Sequence, residues 1–219
     1  MRQLTLSTVI AYLHAIRHYP LFSFTTVKLA MTTCIRRLRK ASDYSRWSKL
    51  SSLSRDWDSR TAQIACLIAK SSSVLEFGAG RMILREFLPE ACQYTPSDLV
   101  DRGQGTFVCD LNVPKLPSFP KHDVAVFSAV LEYVNDVPRL ISHLCRVVDV
   151  VIASYAVTDW NVSVVTRRAA GWVNDYSSRE FENIFLKCGF HPDKIITWQS
   201  QKIYRFVKTY SSLAPTNNR

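Results

Sequence analysis

The sequence has little that would commit it to metal, membrane or disulfide chemistry. Its six cysteines (Cys34, Cys66, Cys92, Cys109, Cys145 and Cys188) are scattered, none forms a Cys-x-x-Cys pair, and no Cys/His spacing suits zinc. Reduced thiols in a cytosolic protein are the expectation that follows. No run approaches the ~18 apolar residues of a membrane span. The apolar stretch 9–16 is broken by His14 and followed by Arg17, without a small-residue cleavage site, so no signal peptide is read. Internal repeats and low-complexity tracts are absent.

What is present is ordinary globular composition with an uneven charge. The 219 residues are 47% hydrophobic and 21% charged, with a formal charge of +10. That is room for one domain of ~100–200 residues and an extension. Residues 1–70 hold 12 Lys/Arg against 3 Asp/Glu, whereas residues 71–219 hold 16 against 15. The basic character therefore belongs to the N-terminal third. It implies an anionic partner there (phospholipid, nucleic acid or acidic substrate) or a merely solvated basic face.

The chain is organised around residues 71–83. An apolar pair, Val74 and Leu75, leads into Glu76-Phe77-Gly78-Ala79-Gly80 and then a helical pattern over 81–88. This spells strand, tight turn and helix. Glycine opens backbone angles closed to other residues and lets a ligand lie on the main chain. A dinucleotide site wants a third glycine at the position of Ile83, so that fingerprint is incomplete. A glycine turn in some other α/β protein is the alternative.

From here strands and helices alternate, the mark of a parallel sheet. Residues 93–98 form a second strand ending in Asp98, placed where a carboxylate can accept from both hydroxyls of a ribose. Residues 105–110 form a third, ending in Asp110 before Leu111, and 123–130 a fourth, apolar enough to be buried on both faces. Asn135-Asp136 caps a helix to about 147. A fifth strand spans 148–157, and 167–176 is a longer excursion expected to act as a substrate lid. Ser177-Ser178-Arg179-Glu180 gives a capping box for a helix to 188, stopped by Gly189. Strands at 195–198 and 203–207 close the pattern. Upstream, helices are expected over 4–16 (Leu4, Val9, Ile10, Leu13 and Ile16, broken at Tyr19-Pro20), over 24–39, and over 58–70. The 24–39 helix is expected to turn Val27, Ala30, Met31, Cys34 and Leu38 to one side, with a serine-rich hinge at 42–54 after it.

The acidic-x-Gly-x-Gly motif, the acids at 98 and 110, and the block Ser128-Ala129-Val130-Leu131-Glu132-Tyr133-Val134 together resemble the class I S-adenosylmethionine-dependent methyltransferases. They follow the family's order and spacing over about residues 60–208. The resemblance implies an α/β fold: a seven-stranded, mostly parallel Rossmann-like sheet with helices on both faces, preceded by a helical extension. The expected division is 1–57 extension, 58–209 methyltransferase domain and 210–219 frayed tail. The implied cofactor is S-adenosylmethionine, held by Glu76, Phe77, Gly78, Ala79, Gly80, Asp98, Leu99, Asp110, Leu111, Ser128 and Ala129. Candidate catalytic groups on the rim are Glu132, Tyr133 and Tyr155, each of which packing alone would also explain. Some relatives with a Leu-Glu-His-Val block hold a metal through two acids and the histidine. Here Ala129 and Tyr133 replace two of those three, so no metal is expected.

The implied function is methyl transfer to an O or N atom of a small molecule, sugar or glycan, or lipid-linked intermediate. RNA or protein methylation, and an inactive scaffold or membrane-associated binding protein on the same fold, are the alternatives. DNA is disfavoured: no Asp/Asn-Pro-Pro-Tyr/Phe follows the fourth strand, and no Pro-Cys pair is present. The expected location is cytoplasmic, with peripheral contact at the inner face of an anionic membrane through the basic third. There Arg36, Arg37, Arg39 and Lys40 would face the anionic partner while the apolar stripe packs inward, partly closing the cofactor cleft.

Overall fold

The computed structural model describes residues 22–160 and 163–209. The helix expected over 4–16 and the tail 210–219 lie outside the described residues.

Seven strands form one sheet in the order β3-β2-β1-β4-β5-β7-β6. They are β1 (Ser73–Phe77), β2 (Gln93–Asp98), β3 (Phe107–Val108), β4 (Val124–Ser128), β5 (Val150–Tyr155), β6 (Phe190–Trp198) and β7 (Gln201–Lys208). β1 to β5 are parallel, and β7 runs antiparallel between β5 and β6. The side-chain period of two splits the apolar residues between two faces. Leu75, Phe77, Ala125, Phe127, Val151 and Ala153 face one cluster, and Val74, Val124, Val126 and Ile152 face the other. Because both faces must be covered, helices pack on both sides.

The helices are α1 (Phe24–Arg39), α2 (Tyr44–Trp47), α3 (Asp58–Ala65), α4 (Leu84–Phe87), α5 (Val137–Leu144), α6 (Val164–Ala169) and α7 (Ser178–Leu186). α3 and α4 cover the Val74 face through Ile64, Ala65 and Leu84; α5 and α7 cover the Phe77 face through Leu140, Ile141, Phe181 and Phe185. The capping box at Ser177 and Glu180 is formed. Among the described residues no helix is long and apolar enough to cross a membrane.

Several elements are shorter than the sequence implies, three of them for a visible reason. α4 starts at Leu84 rather than 81, because Gly80 and Met82 sit at φ +54° and +57°, which no right-handed helix accepts. α3 ends at Ala65, and tighter turns carry the chain through Leu67 and Ile68 towards β1. β3 loses its start to the left-handed Gly103, Gln104 and Gly105.

Two expectations about the surface are corrected. α1 does not bury the stripe expected of it. Ala30 and Thr33 are buried, while Met31 and Leu38 are 51% and 64% exposed. Small side chains let α1 lie close on α6, so the large apolar groups Phe24, Met31, Ile35 and Leu38 form an outward stripe. Nor do all four basic residues stand free, since Arg36 pairs with Asp43 and Arg37 with Asp175.

The segment 167–176 is likewise no loose lid. Arg167 and Arg168 are each 1% exposed and share Asp175. Arg167 also donates to Ala156 O at 2.7 Å and Asn174 O at 3.1 Å. Burial by itself would raise the Asp175 pKa, but the hydrogen bond from Arg168 and the charges of both arginines outweigh it and hold it below 3.8. A carboxylate depressed in this way adds stability above its unfolded pKa and loses it as pH falls through the folded one. Asp175→Asn leaves two buried guanidinium groups without their counter-charge. Denaturant unfolding at neutral pH is expected to show a loss of about 3 kcal/mol. The variant's stability should also fall less steeply than the parent's in acid, and equal acid slopes would contradict this account.

Candidate active site

β1 is flanked by β2 on one side and β4 on the other, so the connections from β1 and β4 diverge at their carboxyl ends and leave a crevice. A cavity of about 330 Å³ occupies it. The turn after β1 forms its floor. Gly78 has φ +67°, and a Cβ there would come within 2.5 Å of Val130 Cγ2. A Cβ on Gly80 would meet Leu53 Cδ1 at 3.1 Å. Both positions need glycine, for backbone angle and for room.

The Gly80 amide donates to Asp98 Oδ2 at 2.8 Å, joining the turn to the tip of β2. Asp98 Oδ1 accepts from Val100 N and from Arg102, each at 3.3 Å. Asp110 Oδ1 accepts from Ser42 Oγ at 2.6 Å and from Asn112 N at 2.8 Å. Asn112 then donates to Tyr133 O at 3.0 Å, linking the β3 and β4 loops. Beneath the turn, Glu76 is 3% exposed and accepts from Tyr94 Oη. Burial pushes its pKa up to about 8; the Tyr94 hydrogen bond opposes this and the Asp98 charge adds to it.

Glu76, Phe77, Gly78, Ala79, Gly80, Asp98, Leu99, Asp110, Leu111, Ser128 and Ala129 all line this cavity. The three catalytic candidates separate. Tyr133 lines the cavity, accepts from Trp172 Nε1 at 3.2 Å, and meets the Trp47 ring edge-on at 4.8 Å. Burial raises its pKa to about 12, with Arg46 opposing. Glu132 and Tyr155 are fully buried and do not line the cavity. Glu132 accepts from Ala156 N at 2.9 Å, and burial raises its pKa. Tyr155 donates to Asn174 Oδ1 at 2.5 Å and accepts from Tyr176 N at 3.1 Å. Both bind the end of β5 to the 167–176 segment. Asp159, after β5, does not line the cavity and accepts from Ser178 N at 2.7 Å at the start of α7.

Sequence reasoning expected the N-terminal third to close part of the cleft but named none of the residues that form the opposite wall. Ser42, Arg46, Trp47, Leu53, Trp57, Arg60, Trp172 and Gln201 line the cavity, most of them from the stretch read as hinge and extension. The available signal was Trp47 and Trp57 standing in a polar, serine-rich segment with no apolar period to bury them.

Three buried polar atoms on lining residues, Trp47 Nε1, Ser97 Oγ and Arg102 Nε, have no partner among the described residues.

The methyltransferase-domain family matches residues 47–195. The chain belongs to that family. Among proteins of curated function, no sequence matches it. Solved methyltransferases share its architecture. A putative O-methyltransferase from Nostoc punctiforme has TM-score 0.65 at 13% identity, over 84% of this chain and 69% of that one. Magnesium protoporphyrin IX methyltransferase (ChlM) from Synechocystis, solved with bound SAH, has 0.57 at 17%, over 81% and 99%. CalO1, a methyltransferase in calicheamicin biosynthesis, has 0.54 at 17%, over 69% of this chain. The chain spans about half, 54%, of CalO1's length. At such identities the likeness is one of fold.

The methyltransferase domain's first motif should leave a signature in stability. With its pKa moved from 4.5 to about 8, Glu76 holds its proton in the folded protein over a range where the unfolded chain has released it. Folding stability therefore falls as pH rises across that window, by at most about 5 kcal/mol. Glu76→Gln keeps an acceptor for Tyr94 and removes the titration. Its melting temperature should gain on the parent's between pH 5 and 9, and a constant difference would refute the raised pKa.

Proposed function

We propose that the chain transfers a methyl group from S-adenosylmethionine to an O or N atom of a small molecule, sugar, glycan or lipid-linked intermediate. The observation that carries this reading is the Gly80–Asp98 hydrogen bond. It sets a glycine turn and a ribose-type carboxylate side by side at the sheet's switch point, with Asp110 at the next loop. In this reading Gly78, Ala79 and Gly80 lie against the amino-acid part, with Glu76 beneath, Phe77 beside and Ser128 and Ala129 opposite. Asp98 and Leu99 hold the ribose, and Asp110 and Leu111 the adenine. Residues 58–209 form the methyl-transfer domain. Residues 1–57 form the extension, of which 42–57 wall the cavity.

The bound sulfonium supplies an electrophilic methyl, so the protein's work is positioning and exclusion of water. The cavity acids are engaged: Asp43 with Arg36, Asp58 with Arg81, Glu76 with Tyr94, Asp98 with Gly80 and Arg102, and Asp110 with Ser42 and Asn112. Tyr133, with its pKa raised to about 12, stays protonated at neutral pH and orients rather than abstracts. The acceptor must therefore arrive already nucleophilic. Calorimetry with S-adenosylhomocysteine tests the cofactor assignment. Asp98→Asn should weaken binding by about 1.5–3 kcal/mol, the worth of hydrogen bonds to a charged group. Unchanged affinity in the folded variant, or tight NAD binding by the parent, would overturn it. Labelled cofactor incubated with fractionated extract would then reveal the acceptor class.

The outward stripe of α1 favours a second, compatible reading: peripheral contact with an anionic membrane. Phe24, Met31, Ile35 and Leu38 lie along one exposed face, with Lys28, Arg39 and Lys40 exposed around it. Each such cation is worth about 1 kcal/mol near an anionic surface. Co-sedimentation with phosphatidylserine vesicles at low salt should be lost when all three become Gln. Failure of the parent to sediment would overturn this second reading.

A further inference from the structure

One side chain touches the ribose-type carboxylate and the N-terminal wall at once. Arg102, in the loop after β2, lines the cavity, and its side chain is 6% exposed. It donates to Asp98 Oδ1 at 3.3 Å, to Ser48 O at 3.1 Å and to Trp47 O. Charge-assisted contacts usually measure about 2.7–2.9 Å. The guanidinium therefore leans on the wall's carbonyls more than on the carboxylate.

The wall has little apolar burial to hold it. Residues 42–57 consist of the four-residue α2, two single 3-10 turns (Leu50–Ser52 and Arg55–Trp57) and irregular chain, and none of these residues is fully buried. Such a segment opens locally at low cost. What ties it to the sheet is a set of contacts with the cofactor loops. Ser42 Oγ donates to Asp110 Oδ1 at 2.6 Å, and Ser54 O accepts from Arg81 at 3.3 Å. Leu53 lies against Gly80, where an added Cβ would meet it at 3.1 Å. With Arg102, these contacts bind the wall to Asp98, Asp110 and the glycine turn. Arg46 with Ala170 O, and Trp47 with Tyr133, fasten its other side.

Because one guanidinium holds both partners, fixing Asp98 also fixes the wall. A ribose seated on Asp98 steadies that carboxylate and, through it, Arg102. A wall seated on Arg102 in turn covers the ribose. Such coupling is reciprocal: the factor by which the ligand steadies the wall is the factor by which the wall tightens the ligand.

We propose that residues 42–57 are a strap that closes over the adenosine half of the cofactor, and that Arg102 is the positioning residue that couples closure to ribose binding. This deepens the methyltransferase reading and rests on it.

Lys49 and Arg55 are exposed on the strap and serve as trypsin sites. Full-length protein is digested briefly with and without saturating ligand, and the peptides are assigned by mass. S-adenosylhomocysteine and 5′-methylthioadenosine, which share the ribose, should each slow cleavage at both sites at least about tenfold, a shift that one charge-assisted contact can carry. Methionine, which lacks the ribose, should not. Arg102→Met should weaken S-adenosylhomocysteine by about the same factor and abolish its protection of the strap at saturation, and Arg102→Lys should restore part of both. A residue that merely stabilised the fold would leave that protection intact, so unchanged protection in Arg102→Met overturns its role. Equal cleavage of the parent with and without bound S-adenosylhomocysteine overturns the whole proposal, and this arm needs no variant to fold. Protection by methionine but not by 5′-methylthioadenosine overturns it too, since the strap then answers to the amino-acid end. If calorimetry shows that the parent binds neither adenosine ligand, the methyltransferase reading fails and takes this proposal with it; binding without protection sinks the strap alone.

Discussion

The hydrogen bond from the Gly80 amide to the Asp98 carboxylate is the contact on which the site's shape depends. It fixes the distance between two loops that leave neighbouring strands in different directions. Asp98 can make it only because β1 and β2 pair in parallel register, Phe77 beside Ser97, which brings the two strand ends level. Gly78 completes the constraint from the other side, so close to Val130 that any side chain there would have to push the valine methyl aside. Three loops are thereby locked around one crevice. The large apolar clusters on the two faces of the sheet keep the strand ends in place.

The electrostatics of the crevice follow a division of labour. At the ribose end, carboxylates are met by backbone amides and by Arg102. At the far end, cations are met by carbonyls, hydroxyls and rings. Carboxylates and cations of one chain usually find each other when both are buried. In this crevice Arg102 and Arg81 find Asp98 and Asp58, whereas Arg46 and Arg60 reach no carboxylate among the described residues.

Most of the sheet was legible in the sequence because its strands end in an acid or a turn, but β6, read at 195–198, begins at Phe190, its polar first half carrying no apolar run. β2 and the capping box of α7 fall where local pattern puts them. α1 was found to the residue, since Ser23 caps it and Lys40 ends it. Which way it faces was not legible. Helical periodicity identifies an apolar stripe but not whether a smaller one, Ala30 with Thr33, will win the packing against α6. Glu132 and Tyr155 were placed on the rim by their position after strands, yet one-residue differences in a turn decide whether a side chain enters the cavity or the core. The far wall was invisible for a different reason. Arg46, Trp47 and Arg60 reach the crevice through tertiary contacts with Ala170, Tyr133 and Gln201, and no local pattern encodes partners so distant in sequence.

That distance has a kinetic meaning. The bond from Arg46 to Ala170 closes a loop of 124 residues, and the pair between Arg37 and Asp175 closes a longer one. Contacts of such separation are slow to form, because the entropy of loop closure is lost before they contribute. During synthesis the N-terminal segment leaves the ribosome first, yet its contacts with Ala170 and Asp175 wait until residues 167–175 have followed. The β1 turn, Asp98 and Asp110 can assemble from a contiguous stretch of chain, whereas the wall that closes over them cannot. The crevice is therefore completed from its ends inward, with its oldest residues arriving last.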